Sequence, residues 1–596
     1  MPTSRTGQPR GMANGAASPV DDTADPGTGD VHDVVIMGGG LAGLTLALQL
    51  RQRCPGIDVR VLERRAHPVP AACHKVGESS VEVGAHYFSE VLGLHAHLER
   101  EQLKKFGFRF FFSEGRTDLD GVLELGASRP LAVTSYQLDR GLFENFLAEE
   151  AQRQGVRFDD GSTILGVELA AGDGEGRHQV QWRSGSDGST HRAQARWLID
   201  ASGRAGLMKR RLGLAKPNAH RVHAVWFRIA DRLTLDDWAD DPAWRARCDT
   251  PTRWLSTNHL VGTGYWVWLI PLASGSHSVG IVADPAFHAL EAMNTFERAM
   301  DWLAAHQPLL HAELEPRRAQ LQDFMFLRNV SYDCTQLLSD RRWALTGEAG
   351  RFLDPFYSPG SDFIAYGNTL ICELVARDRA GRSLAAHTQV YEQVLRSFYD
   401  STLTLYEGQY AIFGDPEVLP VKVLWDYTYY WGVVAQIYFH GRLADLRALA
   451  RLRPTLTRCQ RLNDAVQEWL REASVRGGRA NPATMIDQAA LPWFAEMNRS
   501  LVDTLDDVAF QARIEAGARR LHQLGTELLQ WGARRASVPP DGVRLRAALA
   551  DAGWQRAGAD GEADDGDEGP LLAPFEILRP GTAAPAATDA RRATAA

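Results

Sequence analysis

A Rossmann-like α/β domain with an inserted β-sheet and a helical C-terminal region is the fold this sequence predicts, on three observations. A buried strand runs through a glycine turn into a helix, a tryptophan-bearing segment alternates with period two, and beyond residue 385 the apolar residues recur at helical spacing. The first is the most specific. Asp33-Val-Val-Ile-Met37 is a continuous apolar run, Gly38-Gly-Gly40-Leu-Ala-Gly43 follows, and Leu41, Leu44 and Leu48 fall on one helical face. Gly38 permits the tight turn, Gly40 lets the backbone approach a pyrophosphate, and Gly43 lets the helix lie close on the sheet with its N-terminus toward the anion. Leu41 and Ala42 complete that phosphate-facing stretch. A second strand, Val59 to Leu62, ends at Glu63, 20 residues past Gly43, where an acid reaches a ribose hydroxyl pair; Arg64 follows it.

Length and composition bound the rest. At 596 residues the chain is long enough for two or three packed units. Residues 1–30, rich in Gly, Pro, Ser and Asp, read as a disordered extension without a signal-peptide core. Residues 31–385 form the nucleotide-binding core, with a substrate-side sheet at about 216–330, and residues 386–555 form the helical region. There Val390, Tyr391, Val394, Leu395 and Phe398, and later Leu521, Leu524 and Leu528, each line one side of a helix. Residues 556–596 are dominated by Ala, Gly, Pro and Asp and read as a mobile tail. With 65 Lys and Arg against 74 Asp and Glu, nucleic acid is not an expected partner. No run suggests a membrane span, and six scattered cysteines without a CxxC pair signal neither disulfides nor zinc, which fits a reducing cytoplasm.

Three further segments distinguish the dinucleotide. Gln137-Leu-Asp-Arg140 opens a helix, Leu198-Ile-Asp200-Ala-Ser-Gly203-Arg204 leaves a strand, and Trp343-Ala-Leu-Thr-Gly347-Glu348 leads to Asp354-Pro355. Together they resemble the elements by which the FAD-dependent monooxygenase superfamily holds its flavin, over most of residues 32–370. The resemblance implies an FAD-binding domain with an inserted substrate sheet, and FAD contacts from Gln137, Arg140, Asp200, Gly203, Glu348, Pro355 and Gly360. Glu348 stands where the superfamily has Asp, so its reach to a ribityl hydroxyl is altered.

Two more motifs narrow the chemistry. Trp266-Val-Trp268-Leu-Ile270-Pro271 alternates as a strand with both indoles on one face, and His74-Lys75-Val-Gly-Glu78-Ser79 is a glycine-containing loop. Both are similar to the signatures of flavin-dependent halogenases, in particular the phenol- and pyrrole-type branch of that tryptophan-halogenase-like family. The resemblance implies that FADH2 and dioxygen give a flavin C4a-hydroperoxide, that a halide (chloride or bromide) becomes hypohalous acid, and that Trp266 and Trp268 bar organic substrate from the flavin. Lys75 then holds the hypohalous acid beside an electron-rich aromatic substrate, free or on an acyl carrier protein, and a separate NAD(P)H-dependent reductase supplies reduced flavin. Ser358, Pro359, Gly360 and Ser361 stand where the family binds halide, but Pro359 has no N–H to offer. Tyr357 stands where the tryptophan-halogenating branch has a glutamate, which points away from free tryptophan. Trp425, Tyr427, Tyr429, Tyr430, Trp431, Tyr438 and Phe439 either roof a substrate pocket or fill a core. The alternative readings are a monooxygenase or oxidase on the same fold without halide chemistry, and a flavoprotein-like scaffold without catalysis.

Overall fold

The computed structural model describes residues 30–72, 75–171, 176–476, 481–535, 541–551, 570–573 and 575. The extension at 1–29 and most of the expected tail lie outside these residues, as do Cys73 and His74. Strand β1 (Asp30–Met37) passes through the glycine turn into α1 (Leu41–Arg53). Val34 to Met37 are fully buried, because parallel neighbours pair with both edges and helices cover both faces. On one side lies β2 (Val59–Leu62), on the other β3 (Thr190–Asp200), and the parallel sheet continues through Arg157–Asp159 beyond β2 and Trp343–Leu345 beyond β3. The antiparallel strands Leu338–Ser339, Thr163–Glu168 and His178–Arg183 complete eight.

The second sheet is also eight-stranded, in the order Leu321–Leu327, His223–Ile229, His277–Ala283, β4 (Tyr265–Pro271), Thr257–Gly262, Phe108–Phe111, Glu124–Gly126 and Met485–Asp487. It therefore draws strands from both sides of the interval 216–330 read from the sequence. Period-two alternation along β4 serves two cores: Trp266, Trp268 and Ile270 join the large one shared with the nucleotide domain, whereas Tyr265, Val267 and Leu269 join a second beneath helices at 296–314. A short ribbon, Leu103–Lys105 paired antiparallel with Ser135–Gln137, links the two layers.

The helical layer begins before residue 385, with α2 (Gly360–Arg379), and continues through helices at 385–403, 418–439, 446–476 and 507–535. Leu521, Leu524 and Leu528 are fully buried on the last of these. The tail reading needs correction at one place. Leu571, Leu572 and Phe575 are buried against this layer, and the Leu572 N–H donates to Glu527 Oε2 at 2.9 Å. Three apolar side chains suffice to dock a segment whose average composition is polar.

Gly280 marks how tightly β4 is packed, since a Cβ there would lie 2.1 Å from Cζ2 of Trp268. Gly280→Ala is expected to lower stability by about 1–3 kcal/mol, read as a fall in melting temperature; an unchanged value would mean the Trp268 ring shifts freely.

Candidate active site

A cleft of about 590 Å3 opens between the two sheets. Its floor is the glycine turn. Gly38, at φ +120°, approaches Ala201 so closely that a Cβ would lie 2.2 Å from that carbonyl oxygen, and a Cβ on Gly43 would lie 1.9 Å from the Gly38 oxygen. Gly40 differs: its extended backbone suits any residue and a Cβ would meet nothing nearer than 3.9 Å. Its backbone is thus left open to something entering the cleft. Both oxygens of Glu63 accept backbone N–H groups, from Gly39 at 2.6 Å and Arg65 at 2.8 Å, which fixes the carboxylate at the cleft wall beside Arg64.

The helix N-terminus at α1 has gathered charge. Glu144, buried on the helix Arg140–Arg153, accepts from the Leu41 N–H at 3.3 Å, from Arg140 at 2.6 Å and from the ammonium of Lys75. Arg140 also donates to the Val76 carbonyl at 2.9 Å, closing the loop over the turn. Lys75 thus stands at the phosphate end of the cleft. Gly203, Glu348, Pro355 and Gly360 line the cleft as well, with Arg204 3.8 Å from Glu348. Asp200 and Gln137 stand behind its wall. Asp200 accepts from the backbone N–H groups of Ser202 and Met208, holding the strand exit, and Gln137 donates to Thr257 Oγ1 at 3.0 Å. For both, the sequence pattern marks a supporting residue of the site rather than a wall residue.

Trp266, Trp268 and Ile270 face the cleft from β4, the two indoles 5.7 Å apart and inclined at 45°. Neither can swing. Trp266 donates to the Tyr410 hydroxyl, itself bonded to Asp354 at 2.7 Å, and Trp268 donates to Ser278 Oγ at 3.1 Å. Opposite them the chain turns through Tyr357 and Ser358, both left-handed at φ +65° and +51°, into Pro359 and the start of α2. Two consecutive non-glycine residues in that region store strain of the kind found at functional sites. Ser361 Oγ is buried there without a hydrogen-bond partner, and the first N–H groups of α2 have no acceptor within the helix.

The lysine buried deepest near the indoles is one the sequence reading passed over. Lys105, at the end of the linking ribbon, donates to Ser79 Oγ and to the Ser80 carbonyl, each at 2.9 Å, and its ammonium lies 3.4 Å from the centre of the Phe108 ring. Ser79 is tied in turn to Thr257 at 2.9 Å and so to Gln137. Ser79 faces the cleft, whereas Phe108 faces a second cavity walled by Tyr357, Tyr406, Tyr427 and Tyr430, so Lys105, on the surface of neither space, touches one wall residue of each. Burial pushes its pKa down to about 7, against the pull of Glu82 and Asp362. Burial likewise pushes Asp362 up to about 7, while His259, between Trp266 and Phe110, is driven down to about 3 and stays neutral. Of the aromatic run in the helical layer, Tyr427, Tyr429 and Tyr430 wall the second cavity; Trp425 bonds Asn463 at 2.9 Å within the core, and Phe439 packs on His86.

Comparison with known proteins agrees with this architecture. Residues 31–271 match the FAD binding domain family. A flavin-dependent halogenase of Dictyostelium discoideum is 24% identical over 438 residues, covering 68% of this chain and 70% of the relative. The 1H-pyrrole-2-carbonyl-(peptidyl-carrier protein) chlorinase of Pseudomonas fluorescens is 26% identical over 396 residues, covering 61% and 80%. The chain is a relative of the flavin-dependent halogenases. Its fold is that of halogenase PltM, with a TM-score of 0.57 at 19% identity over 83% of this chain and 96% of that one. The cofactor of this halogenase relative is FAD, and the bare Gly40, the helix N-terminus and the Glu63 carboxylate fit a dinucleotide. Among the described residues no cluster could hold a metal, the five cysteines are free, and no helix is long and apolar enough to cross a membrane.

Gly40→Ala should leave the melting temperature unchanged yet weaken FAD binding at least tenfold, about 1.4 kcal/mol, in a flavin-fluorescence titration; undiminished affinity would exclude Gly40 from the flavin site.

Proposed function

We propose that the chain uses reduced FAD and dioxygen to oxidise a halide and transfers the halogen to an electron-rich aromatic molecule, with Lys105 rather than Lys75 at the handover. The observation that carries this reading is the position of Lys105 between an indole-walled cleft and a tyrosine-walled cavity. Bound and reduced, FAD supplies with dioxygen the oxidising equivalent that turns halide into hypohalous acid. The protein's task is then separation and delivery. Trp266 and Trp268, each fixed by its own hydrogen bond, keep an aromatic ring out of the cleft, so only the small oxidant moves on. The halide is held at the start of α2, where the Gly360 and Ser361 N–H groups and the Ser358 and Ser361 hydroxyls offer donors in place of the one Pro359 lacks.

At Lys105 two N–H groups are committed to Ser79 Oγ and the Ser80 carbonyl, and the third, on the Phe108 side, is the donor this reading assigns to the oxygen of hypohalous acid. Lys75, paired with Glu144 at the α1 N-terminus, serves the FAD phosphates together with Arg140. The relatives that act on pyrrole rings tethered to peptidyl carrier proteins suggest a substrate delivered free or on such a carrier. The single nucleotide fingerprint at Gly38–Gly43 leaves reduction of the flavin to a separate NAD(P)H-dependent reductase. One observation favours a second reading: Pro359 at the halide turn would suit a monooxygenase that needs no halide.

Incubation with a flavin reductase, bromide and a simple phenol separates the two, since brominated product supports halogenation and hydroxylated product alone supports the second reading. Lys105→Met is expected to bind FAD and consume dioxygen as the native protein does while forming under about 1% of the brominated phenol, a deficit of roughly 3 kcal/mol or more in the transfer step. Lys75→Met should instead show its deficit in FAD affinity, about tenfold. Bromination surviving in Lys105→Met would remove that lysine from the handover.

A further inference from the structure

The second cavity contains a carboxylate that the handover does not use. Glu82 opens the short helix Glu82–His86 directly after the Ser79-Ser80 turn and is 8% exposed, with its side chain on the cavity wall. Its Oε2 is buried and has no hydrogen-bond partner. The neighbouring carboxylate is fully engaged: Asp362 accepts from the Gly84 N–H at 2.8 Å and from the Tyr430 hydroxyl at 2.6 Å. The other groups facing Glu82 are Lys105, Tyr427 and the indole N–H of Trp431, which lies near enough to favour the charged carboxylate but outside hydrogen-bond geometry. A carboxylate oxygen left bare in a tyrosine-walled cavity costs free energy unless something with a proton to share comes to it.

We propose that Glu82 is the proton acceptor for the aromatic substrate, which is a ring bearing an ionisable hydroxyl that seats against Glu82 Oε2 with its reacting carbon toward Lys105. This deepens the halogenation reading and rests on it. The Glu82 carboxylate takes the hydroxyl proton, and the resulting phenolate carbon attacks the halogen of hypohalous acid. A carbon–halogen bond forms, the halogen–oxygen bond breaks, and the departing hydroxide takes a proton from the Lys105 ammonium to leave as water. The dienone so formed passes its ring proton to the Lys105 amine while Glu82 returns its proton to the oxygen, restoring the aromatic ring and both side chains. Burial raises Glu82 toward the range where it can both take and return that proton.

The test uses the full-length protein with reductase, FAD and bromide, and compares E82Q with the native chain on a phenol and on its methyl ether, which has no hydroxyl proton to lose. E82Q should keep FAD binding and hypobromite release, trapped by a dialkyl sulfide, and lose at least 100-fold in kcat on the phenol. On the methyl ether the two proteins should react equally slowly. The acid limb of the native pH–rate profile, where protonation of Glu82 removes the acceptor, should vanish in E82Q. Retention of phenol bromination within threefold, or an equal loss on both substrates, overturns the proposal. Absence of trapped hypobromite from both proteins would overturn the halogenation reading instead.

Discussion

A lysine ammonium cannot lie in a protein interior without donors satisfied and opposite charge nearby, and the need to accommodate Lys105 organises the middle of this molecule. Two of its protons go to Ser79 and Ser80, a ring face lies beneath it, and Glu82 and Asp362 supply negative charge. Ser79 is held by Thr257 on the second sheet, and Thr257 by Gln137 on the linking ribbon. The loop that carries Ser79 is anchored by buried Arg228, which grips Glu78 at 2.5 Å and reaches Asp139 at 3.4 Å. Nucleotide domain, second sheet and helical layer therefore meet at one charge.

The cleft has a second electrostatic focus at the turn into α1, and the two are built differently. There Lys75, Arg140 and the helix N-terminus converge on Glu144. These same donors suit a pyrophosphate, so cofactor and carboxylate compete for one set of partners. Such an arrangement keeps the donors in place before FAD arrives.

Short-range signals were legible in the sequence. Strand, glycine turn and acid announce themselves by spacing that backbone geometry demands, and the indoles of β4 by alternation. What escaped was set by tertiary burial. Lys104 and Lys105 read as an ordinary basic pair, one exposed and the other buried, and only the run of aromatics after them, Phe106 to Phe112, hints that the second faces inward. Lys75 drew attention because its loop resembles a family signature, yet the loop's serine is what touches the buried ammonium. Glu82 looks like any acid in the first turn of a helix, and its orphaned oxygen exists only in three dimensions. Leu571 and Phe575 were hidden by the composition around them.

The two faces of β4 belong to different cores, so each indole is backed by a neighbour committed elsewhere. Displacement of the two indoles is therefore penalised twice, once on each side of the strand. Of the tyrosines walling the second cavity, Tyr427 and Tyr430 come from the helical stretch 418–439 and Tyr357 and Tyr406 from turns, all of them outside that sheet. The shape of the second cavity can thus be changed without disturbing the two cores that meet at β4, and a redesign of that cavity would begin at Tyr427 rather than at the tryptophans.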